Sequence, residues 1–243
     1  LVCETPEEVG SQSEVLITML TGPEAVEQNA LGVSGFLGSM ASGSIWVDMS
    51  TVSPAFSRNM AAAARRHNLR FVDAPVAGTL VPAERGELLI LAGGDKEDVN
   101  LLSPLFEKMG SKTLHLGETG LGSSMKLVIN LMLAQGMIAF SEATKLGESL
   151  GLKRETLMET LIGGPLAAPY LSGKAENFKK NSFETAFPLK HMLKDLHLAL
   201  ESAYESEVAL PSTAIARELY AMAREAGHGE EDFSALFGFL RER

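Results

Sequence analysis

Near residue 117 the 243-residue chain changes its period, and that change limits the fold more than any other feature. Before it, short apolar runs alternate with helix starts; after it, every segment has helical spacing. Residues 14–20 and 44–50 are continuous apolar strands of the kind buried in a parallel sheet. Residues 70–75, 87–92 and 112–116 read as further strands, and 1–4 as a short one. Thr5-Pro6, Ser53-Pro54 and Asp95 read as helix caps and first turns, and Gly22-Pro23-Glu24 as another helix start. The alternation predicts an α/β domain with a largely parallel sheet over residues 1–119, followed by an all-helical domain over 120–243.

Between the two lies a glycine-rich loop, Gly117 to Gly122, that runs into a long apolar helix. Lys126 and Asn130, four residues apart, share one face of it. Around them Leu127, Ile129, Leu131, Met132 and Leu133 leave little polar surface, which predicts a helix buried nearly all round. A lysine at the head of a buried helix is costly unless it is paired or working, so Lys126 is a candidate for proton transfer. The alternative is a lysine that snorkels to solvent from the first turn.

Composition excludes some functions. A net charge of −10 argues against nucleic acid and anionic membrane as partners, though it leaves room for a local basic pocket. The single cysteine, Cys3, allows no internal disulfide or thiolate cluster. The five histidines form no metal-binding pattern. The longest uncharged run ends at Ser141, short of a membrane span. Glu4, Glu7 and Glu8 stand where a signal peptide has basic residues, so the expected location is the cytoplasm.

No strand–GxGxxG–helix phosphate loop occurs; Gly32–Gly35 and Gly117–Gly122 have the wrong spacing or context. Other stretches carry polar groups that could converge. Thr51 follows a strand end and reads equally as a ligand contact or a cap, whereas Ser53 reads as a cap. Asp73-Ala-Pro75-Val-Ala77-Gly78-Thr79 is either an ordinary loop or a set of exposed amides suited to a carboxylate. From residue 187 on, Leu189, Leu193, Leu196 and Leu200 make a core stripe. Lys190, Lys194 and His197 fall on another face, which is solvated surface in the simpler reading.

Together these stretches resemble the β-hydroxyacid dehydrogenase family, its glyoxylate/succinic semialdehyde reductase branch in particular. The similarity covers essentially the whole chain. It rests on Ala74-Pro75-Val76 with Gly78-Thr79, on Pro82-Ala83-Glu84, and on Leu88 to Asp95. Ala186 to His191, Lys194-Asp195 and Glu231 to Ala235 add to it. The resemblance implies a partial Rossmann-like dinucleotide-binding domain before the helical one, NADP or NAD as cofactor, and a small carboxylate substrate. It implies a homo-oligomer, dimer or tetramer. By the resemblance, Lys126 is the catalytic lysine and Asn130 its helix partner. Ala77, Gly78 and Thr79 belong to the substrate loop, and Phe187 and Asp195 line the substrate pocket. Met19, Leu20, Thr51 and Lys194 match cofactor-contacting positions. The family loop usually has serine where this chain has Ala77, which loses a hydroxyl worth about 1–3 kcal/mol to a polar substrate group. The resemblance also implies a strand–GxGxMG–helix–strand segment, roughly 45 residues, ahead of Leu1. That segment would supply the pyrophosphate site and the NAD/NADP choice.

The expected activity is reduction of a small aldehyde or keto acid, glyoxylate or succinic semialdehyde among them, with Lys126 as general acid and base. The rival is a truncated, cofactor-deficient relative whose helical domain serves oligomerisation alone. An imine reductase of the same architecture is a third reading, opposed by the lysine at 126.

Overall fold

The computed structural model describes residues 2–165 and 167–241. The chain divides into two compact units, Leu1–Ile129 and Asn130–Arg243. The first contains α1 (Pro6–Ser11), β1 (Val15–Thr18), α2 (Pro23–Leu31), β2 (Ile45–Asp48), α3 (Pro54–Arg66) and β3 (Arg70–Asp73). Then come β4 (Val76–Ala77), α4 (Leu80–Glu84), β5 (Leu88–Gly93), α5 (Lys96–Leu101), α6 (Ser103–Met109), β6 (Gly110–Gly117) and the opening of α7 (Leu121–Ser149).

The helix starts follow their cap residues. Thr5 accepts from the Glu8 amide, Ser53 from that of Phe56, and Asp95 from that of Glu97. Residues 2–4 form no strand; the Glu4 amide goes to the Glu8 carboxylate at 2.8 Å, a helix-entry contact in place of a ladder bond. Leu1 lies outside the described residues.

The sheet order is β1-β2-β3-β5-β4, with β6 paired to β5. β1, β2 and β3 run parallel, as do β5 and β6, but β5 is antiparallel to β3 and β4. The sheet is therefore mixed rather than largely parallel. The cause is the short β4–α4–β5 connection, since a parallel return needs a crossover of a dozen or more residues.

Strand alternation feeds two cores. Ile45 and Val47 of β2 join Val72, Ile90, Ala92 and Phe106 on one side. Trp46 joins Leu16, Phe36, Met60 and Phe71 on the other. Its ring meets Phe36 and Phe71 edge-on at 5.0 and 4.9 Å, the offset geometry aromatic quadrupoles favour.

The second unit holds the rest of α7, then α8 (Arg154–Gly163), α9 (Pro169–Lys180), α10 (Leu189–Glu205), α11 (Pro211–Glu225) and α12 (Leu236–Arg241). Phe140, Phe178 and Phe237 pack ring to ring at 4.8–5.8 Å. Leu189, Met192, Leu193 and Leu196 of α10 join that core, as do Ala216 and Tyr220 of α11, while Leu200 is only half-buried.

Helix α7 is not buried all round. Leu127, Asn130, Ala134, Met137, Ser141 and Thr144 form its buried stripe. Leu121, Met125, Val128 and Met132 form an exposed apolar one, Val128 at 56 % and Met132 at 66 %. Both stripes recur at three and four residues, so the helix has two apolar faces, one buried and one exposed among the described residues. Helix α7 is also long and apolar enough to cross a bilayer, a property that core helices of proteins share.

Candidate active site

Asp73 ends β3, paired with Asp48 of β2 and Gly93 of β5. Its side chain is fully buried. The Gly120 amide donates to Oδ1 at 2.7 Å and the Ser123 amide to Oδ2 at 2.9 Å. These amides open α7, where a helix leaves its N–H groups without intrahelical acceptors. The Ser123 hydroxyl leans on the same carboxylate and lies 2.8 Å from the Ser57 hydroxyl of α3. Gly122 permits the approach: a Cβ there would sit 2.2 Å from the Leu91 carbonyl oxygen and 2.9 Å from Asp73 Oδ2. The glycine-rich loop, without the context of a phosphate loop, thus grips an internal carboxylate.

Burial pushes the Asp73 carboxyl up to about 6, while the amides of Gly120 and Ser123 pull it down. The folded chain therefore holds this proton more tightly than the unfolded chain, where the group titrates near 3.8. The stability tied to Asp73 is full below that value and is lost as pH rises through about 6. The loss should reach up to about 3 kcal/mol. It is read as the divergence between the stability–pH curves of wild type and Asp73→Asn from denaturant unfolding. Parallel curves would contradict it.

Thr18, Asp48 and Asp73 stand in one row at the carboxyl ends of β1, β2 and β3. Asp48 Oδ1 accepts from the Thr18 hydroxyl at 2.9 Å and the Ser50 amide at 3.1 Å. Trp46 Nε1 donates to Thr18 Oγ1 at 2.9 Å, and the Leu20 amide donates to the Ser50 hydroxyl at 2.9 Å. This network fixes the backbone around Met19, Leu20 and Thr51. Met19 is 63 % exposed; Leu20 and Thr51 are half-buried. Open α/β sheets bind ligands just beyond such strand ends.

The loop after Pro75 places Val76 inside, Ala77 and Thr79 half-buried and Gly78 exposed. Gly78 has φ +133°, a conformation closed to most L-residues, and a Cβ there would strike Leu88 Cδ2 at 2.7 Å. The Thr79 hydroxyl does not cap α4. Lys126 is half-buried, three residues after Ser123 and so on the same face of α7.

In the helical unit, Asn130, Asp195 and Lys194 come together. Asn130 Nδ2 donates to Asp195 Oδ2 at 2.5 Å, and Lys194 Nζ lies 2.8 Å from Asp195 Oδ1. Asn130 and Asp195 are buried, and Lys194 is half-buried. The rest of the basic face is paired at the surface, Lys190 with Glu230 at 2.7 Å and His197 with Glu201 at 3.2 Å. Phe187 is half-buried, and its backbone is held by Asp232, a residue to which local spacing assigns no role. Asp232 is fully buried and accepts from Lys174 Nζ (2.7 Å) and from the amides of Ala186 (3.2 Å), Phe187 (3.1 Å) and Ser234 (3.1 Å). Its one sequence signal is a carboxylate entering the apolar tail that runs from Phe233 to Leu240.

Two family models match in tandem. The NAD binding domain of 6-phosphogluconate dehydrogenase covers residues 1–117, and the NAD-binding domain of NADP-dependent 3-hydroxyisobutyrate dehydrogenase covers 120–240. Glyoxylate/succinic semialdehyde reductase 1 of Arabidopsis thaliana is 39% identical, over 97% of this chain and 81% of its own length. The 2-(hydroxymethyl)glutarate dehydrogenase of Eubacterium barkeri is 36% identical, over 96% and 78%. Among solved structures, Mycobacterium tuberculosis 3-hydroxyisobutyrate dehydrogenase with L-serine superposes at a TM-score of 0.85, with 30% identity, over 99% of this chain and 84% of that one. The chain belongs to the β-hydroxyacid dehydrogenase family, a family of NAD(P)-dependent oxidoreductases.

The strand ends fit part of a dinucleotide. The first-turn amides of α2 meet no side-chain cap, and the Thr51 hydroxyl follows the neighbouring strand. Glu24 in the same turn of α2 makes that end better suited to ribose hydroxyls than to a phosphate.

Proposed function

We propose that the protein interconverts a small hydroxy acid and its aldehyde or keto form, with NAD(P) as redox partner and Lys126 as general acid and base. The observation that carries this reading is the setting of Lys126. It lies one turn into a helix whose start Asp73 clamps, four residues before an asparagine held by Asp195. When bound, the nicotinamide supplies the hydride chemistry. Lys126 gives a proton to the substrate oxygen as the carbonyl becomes a hydroxyl, and takes it back in oxidation. Its charge also stabilises that oxygen as negative charge builds on it. Asn130 orients the lysine or the substrate.

The amides around Ala77 and Gly78, with the Thr79 hydroxyl, hold the substrate carboxylate. Phe187 and Asp195 line the substrate; Met19, Leu20, Thr51 and Lys194 contact the cofactor. Residues 1–119 form the dinucleotide-binding domain, which also carries the substrate loop, and 120–243 form the substrate and self-association domain, which also carries Lys194. The relatives support the substrate class. One is named for glyoxylate and succinic semialdehyde, another for a hydroxymethyl diacid, and a third was solved with L-serine. Each is a small carboxylate.

The test is a reductase assay of the purified protein at its full natural length with NADPH and NADH against glyoxylate and succinic semialdehyde, and in reverse with 3-hydroxyisobutyrate. Turnover of at least one couple is expected. A folded chain that turns over none of them with either dinucleotide would overturn the reading and favour the non-catalytic, oligomerising alternative. The exposed stripe of α7 supports a homo-oligomer, because a second copy would cover it; a monomer in sedimentation equilibrium would contradict that. With a soluble dinucleotide and a small acid as ligands, we place the protein in the cytoplasm, and recovery in a membrane fraction would overturn this.

A further inference from the structure

We infer that Asp73 is a positioning residue for the reaction: its carboxylate sets the start of the helix that carries Lys126, and its backbone, fixed in the sheet, gives that helix a rigid anchor beside the loop proposed to hold the substrate carboxylate. The inference rests on the function proposed above and adds a residue to it. Helix α7 begins at Leu121, directly after Gly120, a residue with no side chain to cap it. The cap comes instead from Asp73, 47 residues earlier in the chain. A serine or aspartate at 120 would satisfy the same kind of amide from within the loop. It would also leave the helix free to shift against β3. A cap that belongs to β3 does not.

Asp73 is itself fixed on both sides. It pairs with Asp48 in the sheet, and the next amide, that of Ala74, donates to the Asp48 carbonyl at 2.7 Å. One residue on, the Pro75 carbonyl accepts from the Leu91 amide at 2.9 Å. The loop through Ala77, Gly78 and Thr79 departs directly from this anchor. On the other side, Lys126 follows Ser123, whose amide Asp73 holds, by three residues. Gly93 and Gly122 close the site, since a Cβ on either would fall 2.9 Å or less from an Asp73 carboxylate oxygen. The grip is therefore close and leaves little slack between strand and helix.

The test is a double-mutant cycle on kcat with Asp73→Asn and Lys126→Ala. Asparagine keeps one acceptor but turns an N–H group toward an amide that now donates. In the Lys126 background, Asp73→Asn should lower kcat by roughly tenfold or more. In the Lys126→Ala background, it should lower kcat by less than about twofold, because there is no lysine left to misplace. A merely structural role would reduce kcat equally in both backgrounds, and that result overturns the inference while leaving the lysine mechanism standing. Should Lys126→Ala leave kcat unchanged, the lysine mechanism and this inference fall together. If Asp73→Asn does not fold, Ser123→Ala carries the same cycle. It keeps the amide clamp but removes the hydroxyl together with its 2.8 Å contact to the Ser57 hydroxyl, with an expected loss of about threefold that vanishes in the Lys126→Ala background.

Discussion

Alanine at position 126 is expected to lower kcat by about a hundredfold or more, the lower end of general acid–base effects. In the proposed mechanism the substitution removes the proton that the substrate oxygen needs and the charge that stabilises it. It leaves the helix intact, because Lys126 is half-buried, lies off the buried stripe of α7, and is replaced by the best helix former. The dinucleotide KM should stay within about twofold, since the loss falls on the transition state rather than on ground-state binding. Steady-state kinetics on the best substrate decide it. A variant that keeps more than about a tenth of wild-type kcat removes Lys126 from the chemistry.

Asp232→Ala should cost about 3–5 kcal/mol of stability, the usual penalty for leaving one partner of a buried ion pair behind. The Lys174 side chain is only 12 % exposed and would be left without its counter-ion, now at 2.7 Å. The amides of Ala186 and Phe187 would lose their acceptor in the same step, as would the amide and hydroxyl of Ser234. Lys174 also sits 5.5 Å over the Phe233 ring, a contact that does not replace a carboxylate. Denaturant unfolding of the isolated variant measures the loss. Adding Lys174→Met should recover part of it, because an apolar pair avoids the stranded charge. A loss below about 1 kcal/mol would show that Asp232 contributes no more than an exposed ion pair.

The strand–helix alternation up to Leu116 was legible because several of its apolar runs are bounded by capping residues that behave locally. Thr5, Ser53 and Asp95 cap the helices that their positions predict. The antiparallel turn through β4 was not legible. Val76 and Ala77 are too short a run to carry a period, and Pro75 marks a loop equally well. The long helix was legible in extent but not in burial, because an apolar face reads the same whether it packs inside its own chain or waits for another. Asn130, Asp195 and Lys194 were each found by motif, yet spacing alone could not show that they meet, since 65 residues separate Asn130 from its acceptor. Asp73 and Asp232 were harder still. Their partners are backbone amides, which every residue has, so the sequence at those partners carries little trace of the contact.

The way Asp232 holds the segment before α10 bears on how substrate range can change. Its bonds run to the amides of Ala186 and Phe187, not to their side chains. The path of the chain there is therefore set independently of which side chain stands at 187. An exchange at Phe187 leaves these amide bonds in place, whereas an exchange at Asp232 removes them. If Phe187 lines the substrate as proposed, single exchanges there should shift substrate preference while the path of the chain beneath is kept.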